Sequence, residues 1–199
     1  MASRPGVNRT IIAQTAGELA DQIGLEKLTL SLVASHLGVR TPSLYNHIEG
    51  LDDLRRELSL HGMQELDRRL QRAALGKAGD QAVCAMLQAY RAFAKERPGV
   101  YASTLHAPGN DDEPLRSASQ AIIDTVLTVL KPYNLNPDDA IHIVRGFRAI
   151  GHGFATLEVA NAFGMALEEE ESYHRLIATF LLGLNRVSES NLRPNREQA

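Results

Sequence analysis

Apolar residues recur at helical spacing from one end of the chain to the other, and no stretch shows strand alternation. Ile12, Ala16, Leu19 and Ile23 fall at i, i+4, i+7 and i+11, which is one face of a helix from about Asn8 to Gly24. The stretch from Leu28 to Leu54 reads as a helix, a tight turn and a second helix. Ala34 is small where two helices must approach closely, and Gly38 suits a turn that needs positive φ. Thr41-Pro42 predicts a helix opening, with Thr41 as the cap and Pro42 in the first helical position. Pro42 also biases Thr41 away from αR, so the first of these helices cannot run through into the second. Leu44 and Ile48 anchor the short second helix, roughly Pro42 to His47, and leave Ser43, Tyr45, Asn46 and His47 for solvent or a ligand. That composition is the one expected of a recognition helix.

A long helix follows from about Leu51 to Ala74, with Leu54, Leu58, Met63, Leu66 and Leu70 as its apolar positions and Gly76 and Gly79 breaking it. Asp80 to Arg97 carries Val83, Leu87, Tyr90 and Ala94 in one stripe, stopped by Pro98-Gly99. A short segment from Val100 to His106 precedes the polar loop Ala107 to Glu113. Helices then run from Leu115 to Leu130 and from Asp138 to about Ala160, the latter opened by Asn136-Pro137 with early acidic residues that suit the helix dipole. The last helix follows the acidic run Glu168 to Glu171, which reads as a solvated helix start. Residues 1 to about 6 and the tail after Glu189 are polar and predict frayed ends. Gly146, Gly151 and Gly153 sit inside the penultimate helix, where each costs about 1 kcal/mol relative to Ala. Close approach of another backbone offsets such a cost; packing within one subunit is the plainer alternative.

The pattern therefore predicts an all-α chain: an N-terminal three-helix domain with a helix-turn-helix at 1–50, and a C-terminal helical bundle at 51–199, linked by the helix that starts at 51. The 199 residues suffice for two such bodies. No stretch approaches the roughly 20 apolar residues of a membrane span, and MASRPGVNRT lacks the apolar core of a signal peptide. A single cysteine, Cys84, excludes an internal disulfide and a cysteine-cage zinc site, and reads as a small buried hydrophobe. Cytoplasmic location is the default expectation. Among the seven histidines no two stand three or four apart, so no helical metal pair exists, and neither a metal nor a cofactor is expected. No phosphate loop, dinucleotide fingerprint or nucleophile elbow appears, which argues against an enzyme.

Charge bears on the DNA reading. The net charge is −3, and through Arg56 six basic residues balance six acidic ones. Non-specific DNA affinity comes largely from phosphate neutralisation, so a neutral head predicts modest affinity and a shallow salt dependence. Arg4, Arg9 and Arg40 offset this if they share one face.

The run SLVASHLGVRTPSLYNHIEGLDDL resembles the helix-turn-helix signature of the tetracycline-repressor (TetR) family of transcriptional regulators. Thr29, Val33-Ala34, Leu37-Gly38-Val39, Leu44-Tyr45, His47, Ile48 and Leu54 match in order. The resemblance implies that Thr41, Ser43 and Asn46 meet base edges or nearby backbone, with Asn46 able to pair with adenine. Tyr45, His47 and Thr29 then correspond to phosphate contacts, and Pro42 packs against a thymine methyl; Arg40, the one strong cation in the turn, is either a DNA contact or a solvated surface residue. Leu51 departs from the pattern, since the family usually carries a Lys there that touches a phosphate; weaker or differently anchored binding is expected.

The resemblance further implies a homodimer built on the last two helices, a double-stranded DNA operator and a small-molecule effector held by the middle helices, with no membrane partner. AIGHGFATLE, around His152, resembles a C-terminal helix segment of one TetR subgroup. Candidate effector contacts are Met86, Tyr90, Phe93, Tyr101, Leu105, Ile122, Val126 and Phe147, with His106 and His152 as polar ones. Plain hydrophobic core is the alternative for each. The family mechanism is repression relieved by a ligand that prefers the DNA-incompetent spacing of the two recognition helices. The rival reading is an all-α small-molecule binding protein or enzyme that has kept the fold and lost DNA binding; Leu51 and the neutral head are its support.

Overall fold

Asn8 opens the first helix by accepting the Ile11 N–H on its side chain at 2.9 Å, and α1 runs Arg9–Ile23 before Gly24 ends it. The computed structural model describes residues 7–105, 109 and 111–192; Arg4, His106, part of the expected polar loop and most of the expected tail lie outside these. After a 3-10 turn at Leu25–Lys27 come α2 Leu30–Leu37, α3 Thr41–Leu44, α4 Leu51–Ala74, α5 Gly79–Glu96 and α6 Pro98–Ser103. Then follow α7 Glu113–Leu130, a 3-10 turn at Lys131–Tyr133, α8 Pro137–Val159 and α9 Glu169–Leu192. No strand occurs among the described residues, and the all-α expectation holds.

The chain forms two compact units: Met1–Glu65 with Glu96–Ser119, and Leu66–Lys95 with Gln120–Ala199. Both α4 and α7 are shared, each contributing one part to either unit. In the first unit α1 packs on α2 and α6, and α2 on α3. Ile12, Ala16, Leu28, Val33, Leu44, Leu54 and Leu58 are fully buried there, so apolar burial holds the three-helix head together. The fit of α1 to α6 is backbone against backbone. A Cβ at Gly99 would lie 2.1 Å from the Ala20 carbonyl carbon, so only glycine fits. Asp21 on α1 caps α6, accepting the Gly99 and Val100 N–H groups at 2.9 and 3.0 Å, and its other oxygen pairs with Arg97 Nε at 2.5 Å.

Pro98-Gly99 stops α5 at Glu96, as the pattern predicts, and has a further role. The pair opens α6, because proline fits the first turn of a helix and Asp21 satisfies the exposed N–H groups from another element. One correction concerns Thr41. It is the first residue of α3, preceded by an extended Arg40 that makes no side-chain cap.

In the second unit α8 packs on α9, and the Tyr173 hydroxyl donates to the Leu87 carbonyl at 2.7 Å in the core. Met86, Leu87, Phe93 and Ile177 fill that core. Two of the three helical glycines make room for rings, not for another backbone: Gly151 faces Tyr90 and Gly146 faces Phe180. Gly153 meets nothing within 4 Å.

Candidate nucleic-acid interface

Local sequence builds the interface in three steps. Thr29 caps α2, its hydroxyl oxygen accepting the Leu32 N–H at 3.3 Å, which leaves the hydroxyl hydrogen free to donate outward. Gly38 then takes the left-handed conformation, φ 68° and ψ 31°, and the Val39 N–H returns to the Ala34 carbonyl at 3.0 Å. That closure ends α2 and reverses the chain. Finally α3 forms over Thr41–Leu44, shorter than the expected Pro42 to His47, and a turn continues it through His47.

Leu44 and Ile48 are buried beneath α3 and hold it to the head. Pro42, Tyr45 and Asn46 point the other way, with Tyr45 57% exposed. Arg40 and Thr29 are exposed as well, while Thr41, Ser43 and His47 are half-buried. The eight residues nominated from sequence thus lie on consecutive parts of one motif, none fully buried.

The cations distribute differently from expectation. Arg9 does not join Arg40 on an open face. Its Nη1 donates to the His47 carbonyl at 3.0 Å, and its Nη2 meets Asp53 at 2.5 Å and Glu57 at 2.9 Å. Arg56 is likewise engaged, holding both oxygens of Asp112 at 2.5 and 2.7 Å. Arg40 makes no ion pair among the described residues, and Leu51 at the head of α4 is half-buried and uncharged. Burial works to raise the Asp53 pKa, but the Glu49 N–H and the Arg9 guanidinium outweigh it, holding the carboxyl below its usual range. Asp53 and Arg9 were not nominated from sequence. A carboxylate in the third position of a helix is a recognisable capping signal, but nothing local marks Arg9 as its partner.

The effector candidates are divided between the two units. Met86, Tyr90, Phe93, Val126 and Phe147 are buried in the second unit, with the Tyr90 and Phe147 rings edge to face at 6.2 Å. Ile122 and His152 are half-buried in the same unit, whereas Tyr101, buried, and Leu105, exposed, belong to the first. A groove of about 740 Å³ in the second unit is lined by other residues, among them Ala74, Leu75, Lys77, Ala121, Asp124, Thr128 and Pro132.

The uncharacterized HTH-type transcriptional regulator YobS of Bacillus subtilis (strain 168) is 34% identical over 184 residues, covering 92% of this chain and 96% of the relative. This chain belongs to the TetR family of helix-turn-helix transcriptional regulators. Residues 83–180 of the regulator match the family profile described as Tetracyclin repressor-like, C-terminal domain. The uncharacterized HTH-type transcriptional regulator Rv0681 of Mycobacterium tuberculosis (strain ATCC 25618 / H37Rv) is 35% identical over 159 residues, 79% of this chain and 73% of the relative. In fold, the regulator resembles SCO7222, a TetR transcriptional regulator from Streptomyces coelicolor. The TM-score is 0.71 at 16% identity, covering 92% of this chain and all of that one (100%). No described helix of the regulator is long and apolar enough to cross a membrane.

Proposed function

We propose that the protein is a cytoplasmic, homodimeric repressor that grips a double-stranded DNA operator through α3 and lets go when a small-molecule effector binds in the second unit. The supporting observation is the two-sidedness of α3: Leu44 and Ile48 bury one side while Tyr45 and Asn46 stand free on the other. A polar helix with so exposed an aromatic gains nothing from water alone, but a major groove offers base edges to Asn46 and phosphates to Tyr45. Thr41 and Ser43 read neighbouring positions, Pro42 packs on a thymine methyl, and Thr29, His47 and Arg40 meet the backbone.

Residues 1–50 carry this task and 51–199 take the effector and the second copy. Twin heads about 34 Å apart, one turn of the duplex, serve two half-sites on the simplest geometry. Effector control requires a ligand that binds the DNA-incompetent arrangement more tightly; one with equal affinity for both shifts nothing. The apolar residues Met86, Phe93 and Val126 suit an amphipathic small molecule.

Leu51 and the balanced charge of the head favour a second reading, a binding protein on the same fold that no longer engages DNA. Selection from a randomised duplex pool separates the two. A regulator enriches a partly palindromic sequence and loses it with Tyr45→Ala and Asn46→Ala; enrichment of nothing, or binding indifferent to both changes, supports the second reading.

A further inference from the structure

One side chain at the start of α1 reaches two later stretches of the head. Arg9 Nη1 donates to the carbonyl of His47, the last residue of the turn that continues α3. Arg9 Nη2 lies 2.5 Å from Asp53 Oδ1 and 2.9 Å from Glu57 Oε1, one turn apart on α4. Asp53 Oδ2 in turn accepts the Glu49 N–H at 3.0 Å, in the link between α3 and α4. The guanidinium and Asp53 together therefore tie α1, the exit of α3 and the entrance of α4.

We infer that Arg9 is a positioning residue for operator recognition, setting the angle at which α3 is presented without itself touching DNA. The inference rests on the reading of α2 and α3 as the DNA-binding element. Three physical points carry it. First, α3 has only four residues, too few to hold its own geometry by internal hydrogen bonds. Second, the burial of Leu44 and Ile48 attaches α3 but is non-directional, so rotation about the helix axis needs a polar constraint. The orphan carbonyl at the end of a helical turn is where such a constraint acts, and Arg9 fills that role at His47. Third, Arg9 sits between the Asp53 and Glu57 carboxylates, and Glu57 also accepts from Arg56, which in turn holds Asp112; with two arginines against three carboxylates this network is net negative and does not attract phosphate. A planar fork can serve three acceptors at once, which a lysine ammonium on a flexible stem cannot reproduce.

The test uses the full-length protein and a duplex of about 30 base pairs, enough for two half-sites, enriched by the wild type from a randomised pool. Binding is titrated from about 50 to 200 mM salt on that duplex and on a random-sequence duplex, with affinities corrected for the active fraction. Arg9→Gln is expected to weaken the enriched duplex about tenfold, roughly the loss of one base contact, with little change on the random duplex. The slope of log affinity against log salt stays as in the wild type. Arg9→Lys does not restore binding. Asp53→Asn, which removes a negative charge near DNA, nevertheless weakens the enriched duplex, and combining it with Arg9→Gln adds nothing further. Arg40→Gln serves as the contrast, with a slope reduced by about one per protomer.

A slope reduced by about one in Arg9→Gln and restored in Arg9→Lys assigns Arg9 to a phosphate and overturns the inference. Unchanged affinity, or equal loss on both duplexes, overturns it as well. Should Arg9→Gln not fold, Asp53→Asn carries the same decision through its specific loss at constant slope. If the wild type enriches no duplex, the DNA reading itself fails and takes this inference with it. That result is distinct, since it appears before any variant is made.

Discussion

The guanidinium of Arg91 holds both carboxylate oxygens of Glu158, each at 2.7 Å, in the interior of the second unit. Lys95 adds a third contact to Glu158 at 2.5 Å, and Arg91 reaches Glu170 at 2.5 Å. The same guanidinium lies over the rings of Tyr173, at 4.9 Å, and Phe154, at 5.4 Å. One buried cation thus joins α5 to the end of α8 and the start of α9. Hydrogen bonding from Arg91 outweighs the cost of burial and pulls the Glu158 carboxyl down to about 2.

Glu158→Ala leaves Arg91 buried and short of its main partner, and should cost about 3–5 kcal/mol in urea unfolding. The pH dependence has a definite sign. Glu158 has a depressed folded pKa, so its contribution, on the order of 3 kcal/mol, is complete above the ordinary carboxyl range and is lost as pH falls from about 4.5 towards 2. Stability measured over that window should fall less steeply in Glu158→Gln than in the wild type. Parallel curves would mean that the pair does not govern acid sensitivity.

Gly99→Ala should destabilise the first unit by about 3 kcal/mol, because its Cβ would meet the backbone of Ala20 and backbone cannot move aside as a flexible side chain does. Chemical denaturation measures this directly. A loss within the 0.5 kcal/mol or so usual for an unremarkable site would show that α1 and α6 are less closely apposed.

Leu182 stands 73% exposed in the middle of α9, and Ile141 and Leu157 are exposed on α8. Burial of these residues against a second copy is the expected cause. Leu182→Glu should shift sedimentation at micromolar concentration from dimer to monomer while helicity by circular dichroism is retained. A dimer that survives the change would place the interface elsewhere.

Asn46→Ala should alter which duplexes are preferred, whereas Tyr45→Phe should weaken all of them evenly, because base contacts specify and phosphate contacts only position. Competition binding against a panel of single-base variants checks both; a reversed pattern exchanges the roles. Leu51→Lys should tighten binding and steepen its salt dependence by about one unit per protomer. No change in slope would mean that the head of α4 stays clear of the backbone.

Much of this architecture follows from residues within one turn of each other. The apolar spacing of Leu54, Leu58, Leu66 and Leu70 sets α4, whose bounds Leu51–Ala74 are those the pattern predicts. Gly38 adopts the left-handed turn because no other residue takes it so cheaply, and Asn136 caps α8 as its position before Pro137 suggests. Periodicity and capping are local forces, and local forces are legible in a string of letters. The partners of charges are not. Any arginine in this chain has many carboxylates to choose from, and only the packing of distant helices decided that Arg9 would face Asp53, Arg91 would face Glu158, and Asp21 would open α6 at Pro98. Gly151 faces a tyrosine ring for the same reason. Period and turn chemistry act along the chain, whereas ion pairing and steric fit act across space, and only the folded arrangement of the helices determines what lies across from what.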